Sequence, residues 1–111
     1  MQPYQTEKKM IKHIVMWRLK EFEQGHDRQT NAHLVREKLT ALRGRIPGMM
    51  ALEVGVDFSR SDSSCDIVLY SEFVDREALE AYQINPEHEA IKPFIGSVSI
   101  ERRIADYEVS V

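Results

Sequence analysis

Hydrophobic positions recur in two rhythms along this chain. In residues 10–19 (MIKHIVMWRL) the pattern has a period of two and predicts a strand covered on both faces. One face carries Ile11, His13, Val15, Trp17 and Leu19, and the other Met10, Lys12, Ile14, Met16 and Arg18. After a loop around Gly25 the rhythm lengthens. Ala32, Val35, Leu39, Leu42 and Ile46 are spaced for an amphipathic helix from about Asp27 to Arg45. Ile46-Pro47-Gly48 ends it, because proline cannot continue a helix and glycine turns freely. Residues 49–58 (MMALEVGVDF) read as a second strand and residues 59–64 as a turn. Residues 65–74 (CDIVLYSEFV) read as a third strand, with Cys65, Ile67, Leu69 and Phe73 on one apolar face. Asp75 is placed to cap a helix bearing Ala78, Leu79 and Tyr82 on one side. Asn85 caps the next helix, with Pro86 at its first position, where a missing N–H costs nothing. That helix is expected to reach about Ile95 and stop at Gly96, and residues 97–109 give a fourth strand.

The order is βαββαβ with the second helix broken at Asn85-Pro86. It predicts a ferredoxin-like α+β fold, an antiparallel sheet with helices on one face. Such a sheet should be polar on its other face, yet Ile14, Met16, Val68 and Tyr70 fall there. An apolar patch of that kind calls for a cover, and the simplest is a second copy, sheet against sheet, in a homodimer.

Composition narrows the classes. At 111 residues the chain is long enough for one core, which we place at residues 10–111 behind a polar, disordered lead-in at 1–9 that lacks a secretory apolar stretch. Charged residues number 15 basic against 18 acidic, with no basic stripe, which argues against a nucleic-acid partner. No apolar run approaches the ~20 residues of a membrane span. The single Cys65 forms no internal disulfide, in keeping with a cytoplasmic location, and has no adjacent base to make it a nucleophile. Four histidines (13, 26, 33 and 88) fall at no metal-ligand spacing, and His26 and His33 are expected at the surface. With no glycine-rich phosphate loop either, no cofactor is expected.

Candidate chemistry gathers at AYQINPEHEA, residues 81–90. Tyr82 and His88 straddle the helix break, and Asn85 is placed to accept the backbone N–H of His88. In a first helical turn the dipole disfavours a positive ring, so His88 should stay neutral and able to take a proton. A buried phenol seeks a hydrogen-bond partner, and His88 is the nearest for Tyr82. The plainer alternative makes Tyr82 a core aromatic continuing the Ala78-Leu79 stripe. His13, on an apolar strand face, is either a satisfied core residue or a polar handle. With Arg102 from the neighbouring fourth strand it would serve a cavity walled by Val15, Trp17, Ile67 and Leu69. Asp66 shares a face with Lys12, suggesting a cross-strand ion pair or a dimer contact.

The stretches IKHIVMWRLK, IPGM, CDIVLYSEFVDREALEAYQINPEH and IADYEV, in that order from Met10 to Val109, resemble the stress-responsive A/B barrel (Dabb) family. The resemblance implies a dimeric α+β barrel. It also implies a cofactor-free role for the tyrosine and histidine flanking the helix break, as in plant members that are polyketide cyclases. On this chain those are Tyr82 and His88, with the family's strand-one histidine at His13. The family's frequent His-Pro-x-His is Asn85-Pro86-Glu87-His88 here, and the cyclases' strand-three histidine aligns with Ile67. Three readings follow. The first is a homodimer that binds a small apolar or aromatic molecule between helices and sheet, with Tyr82 and His88 as acid–base groups of a lyase- or cyclase-like reaction. The second is a non-catalytic stress or scaffold protein whose product is the dimer. The third is a cofactor-free monooxygenase-like enzyme, for which a buried Trp17 is the only support.

Overall fold

The computed structural model describes residues 8–110. The expected lead-in at 1–9 lies outside the described residues for positions 1–7, while Lys9 already belongs to the first strand. Strand β1 spans Lys9–Leu19 and is followed by a short hairpin of β2 (Phe22–Glu23) and β3 (His26–Asp27). Helix α1 spans Arg28–Thr40; strands β4 and β5 span Met49–Val56 and Ile67–Phe73. Helices α2 (Arg76–Gln83) and α3 (Pro86–Val98) lead into β6 (Ser99–Ser110).

The four long strands form one antiparallel sheet in the order β4-β5-β1-β6. This is the ferredoxin-like α+β arrangement that the pattern predicts. The period-two rhythm of β1 is realised in its burial. Ile11, His13, Val15, Trp17 and Leu19 are buried, and register places them beside Ile67, Leu69, Ser71 and Phe73 of β5. Val35 and Leu39 of α1, Tyr82 of α2 and Ile95 and Val98 of α3 close over that face. The opposite face keeps Ile14, Val68 and Tyr70 half-buried and Met16 exposed. Lys12 lies there too, with its ammonium 2.7 Å from Glu72 and donating to the Tyr70 hydroxyl.

Several local expectations are corrected. Helix α1 ends at Thr40 rather than Arg45, because the chain tightens into i→i−3 bonds (Leu42 N–H to Leu39 O, Arg43 N–H to Thr40 O) before Gly44 at φ +80°. Leu42 and Ile46 are still buried. Gly96 does not stop α3. Val98 is buried, and its carbonyl accepts Lys20 N–H at 2.8 Å, so packing holds the last turn against glycine's low propensity. The loop around Gly25 is a hairpin, with Gln24 (φ 56°) and Gly25 (φ 79°) both in the left-handed region its turn needs. Asp66 does not pair with Lys12; its carboxylate accepts Leu19 N–H at 2.7 Å, closing the end of β1. His26 and His33 are exposed, as expected.

One glycine positions the site. Gly48, at φ +81°, immediately precedes β4, and a Cβ there would lie 2.5 Å from the Ala78 Cβ. Only glycine lets α2 settle this close to the sheet, and α2 carries Tyr82.

Candidate functional site

Two side-chain caps turn the chain between α2 and α3. Asp75 accepts Ala78 N–H at 2.8 Å to start α2, and Asn85 accepts Glu87 N–H at 2.8 Å to start α3. Asn85 therefore serves the residue before His88, not His88 itself as expected. A side-chain oxygen at the cap meets whichever early N–H its rotamer faces. The break brings Tyr82 and His88 together, both buried.

Their contact differs from the one expected. The rings stack, with centroids 4.0 Å apart and planes inclined by 11°. The hydrogen bond runs from His88 Nδ1 to the backbone carbonyl of Tyr82, at 3.0 Å, and not to the phenol. A carbonyl only accepts, so Nδ1 carries the proton and Nε2 of the neutral ring keeps its lone pair. Burial is the main reason the His88 pKa lies below its ordinary value; Lys92 and His13 push the same way, while the bond to Tyr82 opposes. The Tyr82 hydroxyl is buried and has no hydrogen-bond partner among the described residues. Desolvation pushes its pKa up to about 12, against a lowering influence from Arg102.

His13 is buried on the same inner face, its ring edge-on to Tyr82 at 6.0 Å and to Phe73 at 6.3 Å. Its partner is Asp106 rather than Arg102. Register pairs His13 with Asp106 and Trp17 with Arg102, and His13 Nδ1 lies 2.5 Å from Asp106 Oδ1. The carboxylate orients the imidazole and leaves Nε2 as the free nitrogen. Asp106 escaped the sequence reading because no hairpin joins β1 to β6. Their register is fixed only by tertiary pairing.

A cavity of about 480 Å³ opens between α3, the end of β1 and β6. His13, Val15, Trp17, Leu69, Tyr82, His88 and Arg102 line it, joined by Leu39, Lys92, Ile95 and Ile100. Ile67, expected on its wall, is fully buried in the core instead and is not among the lining residues. Lys92 was not singled out from the sequence; its ammonium donates to Gln83 O at 2.8 Å and lies 3.1 Å from Glu89. A second depression of about 690 Å³, by the 57–66 loop, is lined mainly by charged and hydroxyl side chains such as Arg28, Asp57 and Arg60. It holds none of the residues singled out for chemistry. Cys65 is half-buried, and desolvation raises its thiol pKa, the reverse of what a nucleophile needs. Among the described residues no group of three or more His, Cys, Asp or Glu is arranged to hold a metal ion. No helix among them is long and apolar enough to cross a membrane.

The fold and this site can be set beside known proteins. A dimeric protein of ferredoxin-like fold from Bacteroides fragilis is 28% identical and superposes with a TM-score of 0.79, over 90% of this chain and 96% of that one. A Dabb family protein from Mesorhizobium loti is 22% identical, with a TM-score of 0.64 over 90% of this chain and 96% of its own. The hydroxynitrile lyase of Passiflora edulis shares the fold at 17% identity and a TM-score of 0.71, over 90% and 93% of the two chains. No curated protein matches the chain. Residues 11–109 match the Stress Responsive A/B Barrel Domain, nearly the whole of the described chain, and the protein belongs to that family.

Proposed function

We propose that residues 10–111 form one domain of a cytoplasmic homodimer that binds a small, largely apolar or aromatic molecule in the cavity between helices and sheet. There it performs cofactor-free proton transfer of the lyase or cyclase kind. The observation that carries the reading is the buried hydroxyl of Tyr82, without a partner among the described residues, in a side chain that lines the cavity together with His88. An unsatisfied buried hydroxyl costs about 1–3 kcal/mol, and such groups concentrate where function requires them. A ligand oxygen seated in the cavity supplies the missing partner.

The roles divide by chemistry. His88 is kept neutral by burial, and its bond to the Tyr82 carbonyl leaves Nε2 as the base. Tyr82, held protonated by its raised pKa, is the hydrogen-bond donor that polarises a carbonyl or hydroxyl. His13, held by Asp106 through Nδ1, is a further polar group on the same wall. Val15, Trp17 and Leu69 supply the apolar contact. The dimer is formed through Ile14, Met16, Val68 and Tyr70, in keeping with the dimeric Bacteroides protein. A purely structural role for the dimer is the second reading; it accounts for the apolar sheet face but not for the buried phenol.

The test is carbon-acid exchange. With an aryl ketone in D2O, the wild type should exchange α-protons faster than buffer, followed by proton NMR. His88→Gln should lose about 10²-fold or more of that rate while still binding the ketone, read from Trp17 fluorescence. Exchange that is indifferent to His88 removes the acid–base role.

A further inference from the structure

We infer that the ligand of this cavity is a carboxylate, an apolar or aromatic acid whose head is held by Arg102. The inference rests on the cavity being a ligand site and adds the ligand's charge. Five ionisable side chains besides Tyr82 stand on the wall: His13, His88, Lys92, Glu101 and Arg102. All but one are already engaged within the protein. His13 is bonded to Asp106 and His88 to the Tyr82 carbonyl. Lys92 lies 3.1 Å from Glu89, and Glu101 is 2.8 Å from Arg103 and 3.4 Å from Arg18.

Arg102 alone makes no ion pair or hydrogen bond among the described residues. It pairs with Trp17 in the β1–β6 register, which sets both side chains on the same face of the sheet, and it lines the cavity. Arg102 and Tyr82 line the same cavity, and the guanidinium's charge acts on the phenol to lower its pKa. A guanidinium offers a planar fork of donors that matches the two oxygens of a carboxylate. With Glu101 paired to its arginines and Lys92 to Glu89, Arg102 is the cation of the wall that has no carboxylate partner among the described residues. The plain alternative is a solvated arginine on an edge strand, since Arg102 is exposed. That alternative predicts no discrimination between an acid and its neutral analogue.

The experiment uses 1-naphthylacetate and 1-naphthylacetamide, which share a ring system and differ in charge. Trp17 is the only tryptophan of the chain and lines the cavity, so quenching of its emission reports binding. The wild type should bind the acid about five- to tenfold more tightly than the amide at low salt, the modest gap expected of a partly exposed pair. Arg102→Gln should close the gap, lowering the acid's affinity far more than the amide's. Equal affinities in the wild type overturn the inference while leaving the cavity reading intact. So does a gap that survives Arg102→Gln or disappears in Lys92→Gln instead. If neither compound quenches Trp17, both readings fall together.

Discussion

Replacing Tyr82 by phenylalanine should stabilise this protein, against the usual sign for a buried tyrosine. A typical buried hydroxyl donates to a partner, and its removal costs about 0.5–1.5 kcal/mol. Here the hydroxyl is buried without a partner among the described residues, so its desolvation is uncompensated. Relief of that penalty is worth at most about 1–3 kcal/mol. Everything else the side chain does resides in the ring. It stacks on His88 at 4.0 Å and packs against Phe73 at 5.2 Å and His13 at 6.0 Å, contacts that phenylalanine keeps. For a domain of this length each kcal/mol moves the melting temperature by about 4 °C, so a rise of several degrees is expected. The assay is urea and thermal unfolding followed by far-UV circular dichroism. Protomer concentration must be fixed, since a dimer's apparent stability depends on it. The same variant should bind 1-naphthylacetate more weakly and exchange carbon acids more slowly than wild type. A loss of about 1 kcal/mol or more on Tyr82→Phe would refute the reasoning, since it would mean the hydroxyl is satisfied in solution.

Three further expectations follow from other parts of the structure. His88 has a folded pKa below its ordinary 6.5, so the unfolded chain takes the proton first; stability should fall as pH drops through about 6.5 and level off below the folded value. His88→Gln should flatten that slope between pH 8 and 5, and parallel wild-type and variant curves would show that His88 does not carry it. Ile14→Asp sets a charge on the sheet face proposed to meet a second copy, a penalty of about 3 kcal/mol or more if the charge is buried there. Sedimentation at micromolar concentration should show a dimeric wild type and a monomeric variant, and a monomeric wild type would sink the interface. Gly48→Ala combines a left-handed backbone with a 2.5 Å approach to Ala78, so it should cost about 2 kcal/mol or more and loosen α2. An unchanged urea midpoint would show that α2 is not held there.

The sequence by itself determined the ferredoxin-like order, the faces of β1 and β5, the two caps at Asp75 and Asn85 and the burial of Tyr82. These follow from local causes: a period of two or 3.6, a side-chain oxygen at a helix start, a proline at a first turn. It also marked Ile14 and Val68 as lying on the wrong face for a solvated sheet. What it left undecided were relations between segments far apart in the chain. Strands β1 and β6 share no hairpin, so nothing local says that His13 meets Asp106 and Trp17 meets Arg102; only the assembled sheet sets that register. Gly96 stands inside α3 because Val98 is anchored to Lys20 across the fold, a contact no propensity contains. Proximity in sequence promised a hydrogen bond between the Tyr82 phenol and His88. Tertiary packing stacked the rings instead and gave the imidazole proton to the backbone carbonyl. It also left one phenol and one guanidinium lining the same cavity without partners among the described residues, because which polar groups remain unsatisfied is decided only when every other group has taken its place.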